Sequence, residues 1–158
     1  MIKVLFVCLG NICRSPMAEA VFRHLVLKKK LDDQFLIDSA ATGRWHIGEN
    51  AHKGTLEILK RNGIDYRGKG RLLTQDDLAR FDYIIAMDEN NVRDILALAP
   101  DDVNPNVHML LDFLPEQNER DIPDPYYTGR FDIVYDLIKA GSTALLDHIL
   151  RSGKCKVS

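Results

Sequence analysis

Apolar residues recur along this chain in two rhythms. Residues 2–7 form a near-continuous apolar run, the pattern of a strand covered on both faces. Residues 16–31 then carry Met17, Ala18, Val21, Phe22 and Leu25 at three- and four-residue intervals, which marks one face of a helix. The alternation continues. Residues 35–39 predict a second strand, 52–62 a helix stopped by Gly63, and 75–80 a short helix with Thr74 as its N-cap. Residues 83–87 predict a third strand, 89–99 a helix halted by Pro100, and 107–111 a fourth, weaker strand. Residues 112–129, rich in proline and aspartate, predict a loop. Residues 130–150 predict a long closing helix with Phe131, Val134, Leu137, Ile138, Leu145 and Ile149 as its stripe.

Strands alternating with helices imply right-handed crossovers and an α/β fold. The expectation is one Rossmann-like domain over residues 1–158, with a four-stranded parallel sheet and helices on both faces. Ligands of such sheets bind beyond the carboxyl ends of the strands. Cys8, Ser39 and the Met87-Asp88 pair end the first three strands, so they should share one rim.

Composition narrows the partners. A formal net charge of −2 gives no electrostatic case for nucleic acid. Lys28, Lys29 and Lys30 read as a solvated helix end. No stretch is long enough to cross a membrane, and residues 2–8 read as a strand rather than a leader. Three cysteines are too few, and odd in number, for a disulfide framework. A cytoplasmic monomer with reduced thiols is the natural expectation. His24, His46, His52, His108 and His148 show no metal-ligand spacing, so neither metal nor cofactor is expected. Each is assigned to structure or solvent, although His46 neighbours Trp45.

The segment between the first strand and the first helix carries the chemistry. Cys8 is followed, after five residues, by Arg14, Ser15 and Pro16. Backbone N–H groups of such a loop and of the first helical turn lack intrahelical partners, and the helix dipole adds positive potential there. Amides curled about one centre make an anion nest. Gly10 and Asn11 suit the positive φ that a tight curl needs. Arg14 offers a planar fork to two oxygens of a phosphate. Pro16 fits the first helical turn. The same field favours the thiolate of Cys8, and Ser15 can donate to its sulfur. A thiolate attacking a phosphate ester also needs a proton donor for the leaving oxygen. Asp124, between Pro123 and Pro125 and followed by Tyr126 and Tyr127, is the candidate, with Asp121 and Asp112 as competitors.

Residues 7–19, Val-Cys-Leu-Gly-Asn-Ile-Cys-Arg-Ser-Pro-Met-Ala-Glu, resemble the signature of the low-molecular-weight protein tyrosine phosphatases. Asp124-Pro125-Tyr126-Tyr127 resembles that family's general-acid loop, and residues 37–41 with Trp45 and Gly48, and residues 81–88, also match. The resemblance covers essentially the whole chain. It implies Cys8 as nucleophile and phosphocysteine, Arg14 as phosphate binder, and Asp124 as acid and then base. It implies phosphate contacts from the amides of Leu9 to Ser15, including Gly10, Asn11, Ile12 and Cys13. Ser15 and Asn11 would support the loop with Ser39. Trp45 and Tyr126 would flank an aromatic slot beside Tyr127, with Leu9 and Ile12 at its mouth and floor. The partners implied are phosphotyrosine-containing proteins, and phosphate or other oxyanions in the loop. Cys13 either packs as a small apolar residue or, as in many relatives, pairs reversibly with Cys8. Cys155 reads as a bystander.

The chain departs from the family pattern at one point. Some relatives carry a histidine where residues 67–70 here read Arg-Gly-Lys-Gly. The run Arg67, Lys69, Arg71 could attract acidic substrates or form a solvated loop. Three other functions stay open. Arsenate reduction needs relay cysteines, and the segment after the third strand has none. Relatives specific for phosphoarginine tend to place threonine where this chain has Ile12. A non-catalytic phosphate receptor would not need Asp124.

Overall fold

The computed structural model describes residues 1–115 and 118–153, so Cys155 lies outside the described residues. The first apolar run folds as β1 (Ile2–Cys8), buried throughout except at Lys3. Its side chains divide by parity. Val4 and Phe6 enter one core cluster, Leu5 and Val7 the other, and all four are fully buried. A strand between two cores is apolar at its buried positions on both faces, which is why no alternation marks it. Each such side chain contributes about 1.5–3 kcal/mol by leaving water.

The remaining strands are β2 (Phe35–Ala41), β3 (Tyr83–Ala86) and β4 (Val107–Met109). The sheet order is β2-β1-β3-β4, and every pairing is parallel. The register sets Cys8 opposite Ala41 and Val7 opposite Ala86. The ends of three strands thus meet at the rim where the strand order reverses, the position that favours a ligand. Helices α1 (Arg14–Lys28) and α6 (Phe131–Arg151) cover the Phe6 face with α2 (Lys53–Arg61). The Leu5 face is closed by Leu78 of α3 (Gln75–Arg80) and Ile95 of α4 (Glu89–Leu98). Among the described residues no helix is long and apolar enough to cross a membrane.

Several boundaries differ from the sequence reading, each for a local reason. Helix α1 stops at Lys28 because Lys30 adopts φ 59°, and Leu31 folds back with its N–H on the Val26 carbonyl. Strand β2 runs two residues beyond Ser39, since Ala40 and Ala41 are fully covered. Strand β4 ends at Met109, and Leu110–Phe113 turn as a 3₁₀ helix. The expected loop also contains a short helix, α5 (Pro125–Thr128). Asp124 caps it, Pro125 starts it, and Gly129 ends it at φ 72°.

Candidate active site

The loop from Cys8 to Arg14 curls because its carbonyls are tied outward. The oxygens of Cys8, Leu9 and Ile12 accept from the N–H groups of Thr42, Gly43 and His52 at 3.0, 2.8 and 2.7 Å. The Cys13 oxygen accepts from the Thr55 hydroxyl at 3.2 Å. Asn11 supplies the sharp bend at φ 56°. Gly10 does not take positive φ, contrary to expectation. A side chain there would instead begin 3.1 Å from His46, so Gly10 serves close approach.

Three donors reach the Cys8 sulfur. The N–H groups of Asn11 and Ser15 donate at 3.3 and 3.4 Å, and the Ser15 hydroxyl lies at 3.0 Å. The Asn11 amide donates to the oxygens of Ser15 at 2.7 Å and Ser39 at 3.0 Å, so loop and strand end are braced together.

Arg14 is 3% exposed. Its Nη1 donates to Asp88 at 2.6 Å and to the Ile122 carbonyl at 2.8 Å, and its Nη2 lies 3.5 Å from Asp124. Burial works against its charge. The Cys8 sulfur, Asp88 and Asp124 outweigh burial and hold the guanidinium above its usual range. Its Nε is buried with no hydrogen-bond partner among the described residues. A buried donor left without a partner is costly, and an anion is the natural acceptor.

Asp124 is brought to this rim across 110 residues of chain. The Ile122 N–H on the Met87 carbonyl, at 2.9 Å, stitches its loop to the end of β3. One carboxylate oxygen accepts from the Tyr126 N–H at 3.1 Å. The competitors are engaged elsewhere. Asp121 accepts from Glu89 N–H at 3.0 Å, and Asp112 pairs with Arg120.

A cavity of about 270 Å³ opens over the sulfur. Cys8, Leu9, Gly10, Ile12, Cys13, Trp45, Asp124, Tyr126 and Tyr127 line it, together with His46. Asn11, Arg14, Ser15 and Ser39 are not on its wall; they lie buried beneath and beside the loop. Trp45 is 71% exposed and lies across Gly43, whose added Cβ would sit 2.0 Å from its ring. Tyr126 is bracketed by His46 and His52, with ring centres 5.6 and 6.0 Å away.

Sequence reasoning gave no role to several of these residues. His46 lines the cavity and pairs with Glu49 at 3.0 Å. Asp88 both caps α4 and grips Arg14. Its signal was an acid at a strand end on the rim where an arginine was expected. Glu19 and Tyr66 extend the bracing behind Ser39. Within the basic run, Arg71 is consumed by Asp38 and Asp77 at 3.0 and 2.8 Å, and Arg67 pairs with Asp65. Lys69 borders a groove beside Tyr126. Cys8 and Cys13 are both free thiols. Burial first, then the Cys8 and Asp124 charges, push the Cys13 thiol up to about 12.

Comparison with known proteins agrees in sequence and in shape. The family model described as "Low molecular weight phosphotyrosine protein phosphatase" matches residues 3–155. Low molecular weight protein-tyrosine-phosphatase YfkJ of Bacillus subtilis is 51% identical over 150 residues, covering 94% of this chain and 96% of that protein. Its crystal structure superposes with a TM-score of 0.93 at 50% identity, over 96% of each chain. A structure titled Drosophila arginine phosphatase gives a TM-score of 0.86 at 34% identity, over 94% of this chain and 98% of that one.

Proposed function

Because the chain belongs to the low molecular weight phosphotyrosine protein phosphatase family, we propose that it hydrolyses phosphotyrosine in proteins through a phosphocysteine on Cys8. The supporting observation is the meeting of three groups under one aromatic cavity. The Cys8 sulfur has its donors, Arg14 has its unpartnered Nε, and Asp124 lies 3.5 Å from the same guanidinium.

In the first step the Cys8 thiolate attacks phosphorus and the ester P–O bond breaks. Asp124 gives its proton to the leaving phenolate, and the phosphoryl group rests on sulfur. Arg14 and the loop amides stabilise the equatorial oxygens as their charge grows. In the second step the Asp124 carboxylate takes a proton from water, the water oxygen attacks phosphorus, and the P–S bond breaks. Phosphate leaves and the thiolate returns.

The cavity suits an aryl ester. A benzene ring needs a cavity of about 150 Å³, and here Trp45, Tyr126 and Ile12 offer apolar surface around the space left for one. A phosphoarginine would set a charged guanidinium against the apolar side chain of Ile12. Arsenate reduction gives Asp124 no task. Parallel assays on phosphotyrosine, phosphoserine, phosphoarginine and arsenate decide among these readings. Phosphotyrosine should dominate, and Cys8→Ser should abolish turnover. Full activity in Cys8→Ser, or a dominant arsenate or phosphoarginine signal, overturns the proposal.

A further inference from the structure

Beside the catalytic cavity the surface continues into a second groove, of about 550 Å³. The two share Ile12, His46 and Tyr126, so the groove begins where the cavity ends. Its further wall carries Glu49, His52 and Lys69, none of which the proposed reaction uses. The charges on that wall are sorted unequally. Within the basic run at 67–71, Arg71 is held by Asp38 and Asp77, and Arg67 lies against Asp65. Lys69 is exposed and has no ion pair among the described residues. Glu49, the one carboxylate on the wall among the described residues, already has His46 Nδ1 at 3.0 Å. His52 Nδ1 accepts from the Gly54 N–H at 3.0 Å, so its ring proton lies on Nε2, which stays a donor. A groove with an unpaired ammonium and an imidazole donor, whose own carboxylate is engaged, is complementary to an acid.

Lys69 is also fixed at its root. The Gly48 N–H donates to the Gly70 carbonyl and the Gly70 N–H to the Glu49 carbonyl, both at 2.8 Å. Asn50 faces Lys69 across this short antiparallel bridge. A Cβ on residue 70 would lie 2.5 Å from the His46 carbonyl oxygen, so glycine there lets the two segments close. One residue on, the Arg71 N–H donates to the Asn11 side-chain carbonyl at 3.0 Å. The backbone that carries Lys69 is thus tied to the cysteine loop, while its ammonium stays in solvent.

We propose that this groove is a subsite for the substrate's own chain, in which Lys69 receives the carboxylate of an aspartate or glutamate close to the phosphotyrosine in sequence. The proposal rests on the phosphotyrosine reading and narrows its substrate class to tyrosines with an acidic neighbour. An extended chain advances about 3.3 Å per residue. A groove that abuts the cavity therefore meets side chains within the first few residues on one side of the phosphotyrosine. The contact is exposed, so the preference it gives is modest and weakened by salt.

The test is a set of phosphotyrosine peptides in which one flanking position at a time is glutamate, glutamine or lysine and the rest are serine or glycine. The quantity read is the ratio of kcat/KM values between peptides, for the wild type, Lys69→Gln and Lys69→Glu. In the wild type at low ionic strength, glutamate at the best position should exceed glutamine by about two- to fivefold, and lysine should be poorest. Salt at about 0.5 M should shrink that advantage. Lys69→Gln should erase it, and Lys69→Glu should turn it into a preference for lysine at the same position. A wild type that cleaves every peptide without regard to charge overturns the proposal. So does a glutamate advantage that persists unchanged in Lys69→Glu. A wild type that cleaves none of the peptides overturns the phosphotyrosine reading instead.

Discussion

Replacing Asp124 with asparagine should move two measurements in opposite directions. Asparagine is as good an N-cap as aspartate and keeps an oxygen for the Tyr126 N–H, so α5 should stay capped. What is lost is the proton and the charge. Without a general acid, turnover of phosphotyrosine should fall by roughly two to four orders of magnitude. The lost charge sits 3.5 Å from the Arg14 guanidinium. Two unit charges at that separation attract by about 1 kcal/mol in bulk water and about 5 kcal/mol at an effective dielectric of 20. Asp124 is 24% exposed while Arg14 is buried, which places the effect toward the lower figure, at about 1–2 kcal/mol. That attraction also competes with any anion for Arg14, and the carboxylate repels the anion directly. Inorganic phosphate or vanadate should therefore bind Asp124→Asn about five- to thirtyfold more tightly. Inhibition constants and isothermal titration measure this. Weaker oxyanion binding alongside lost turnover would mean that Asp124 supports the loop and does not face the phosphate.

Three further outcomes follow from the same geometry. Asp88→Asn keeps the α4 cap but removes the charge 2.6 Å from buried Arg14, so stability should drop by about 1–3 kcal/mol, seen as a lower urea midpoint; an unchanged midpoint would refute the pairing. With its thiol near 12, Cys13 holds about one thiolate in 10⁵ at pH 7, so brief alkylation should mark Cys8 and spare Cys13 in peptide maps; equal labelling would refute the assignment. Burial pushes the Asp77 carboxyl up, but hydrogen bonds from Arg71 and Thr74 outweigh it and hold the group below its ordinary 3.8. A depressed carboxyl stabilises the fold fully above its unfolded value and loses that contribution as pH falls through the folded one. The urea midpoint of the wild type should therefore drop below pH 4, and Arg71→Ala should show a shallower acid slope; parallel slopes would remove Arg71 from the account.

The sequence announced the fold through rhythms that depend on burial alone. Residues 2–7 read as a doubly covered strand because a short, near-continuous apolar run suits a strand buried on both faces. The cysteine loop was legible because Asn11, Arg14 and Pro16 each have a narrow range of physical uses. Asn11 takes the positive φ, Pro16 sits in the first helical turn, and Arg14 is a residue type that offers a fork to an oxyanion. Helix α5 was hidden because Asp-Pro reads equally as a turn or as an N-cap, and only packing chooses. Asp88, Glu19 and Tyr66 were hidden for a different reason. Their partners lie 74, 20 and 47 residues away, and no local pattern records such distances. Gly10 was misread because glycine answers both to backbone bend and to a close neighbour, and His46 is brought near only by the fold.

The long reach of Arg14 has a consequence during synthesis. Its guanidinium is gripped by Asp88 and by the Ile122 carbonyl, 108 residues downstream, and Asp124 follows two residues later. A chain emerging from the ribosome presents Cys8 long before any of these arrive. Until more than three-quarters of the protein has been made, Ile122 and Asp124 are missing from the surroundings of Arg14. On the proposed mechanism, a nascent chain cannot turn over a phosphoester before Asp124 has been made and brought within 3.5 Å of Arg14.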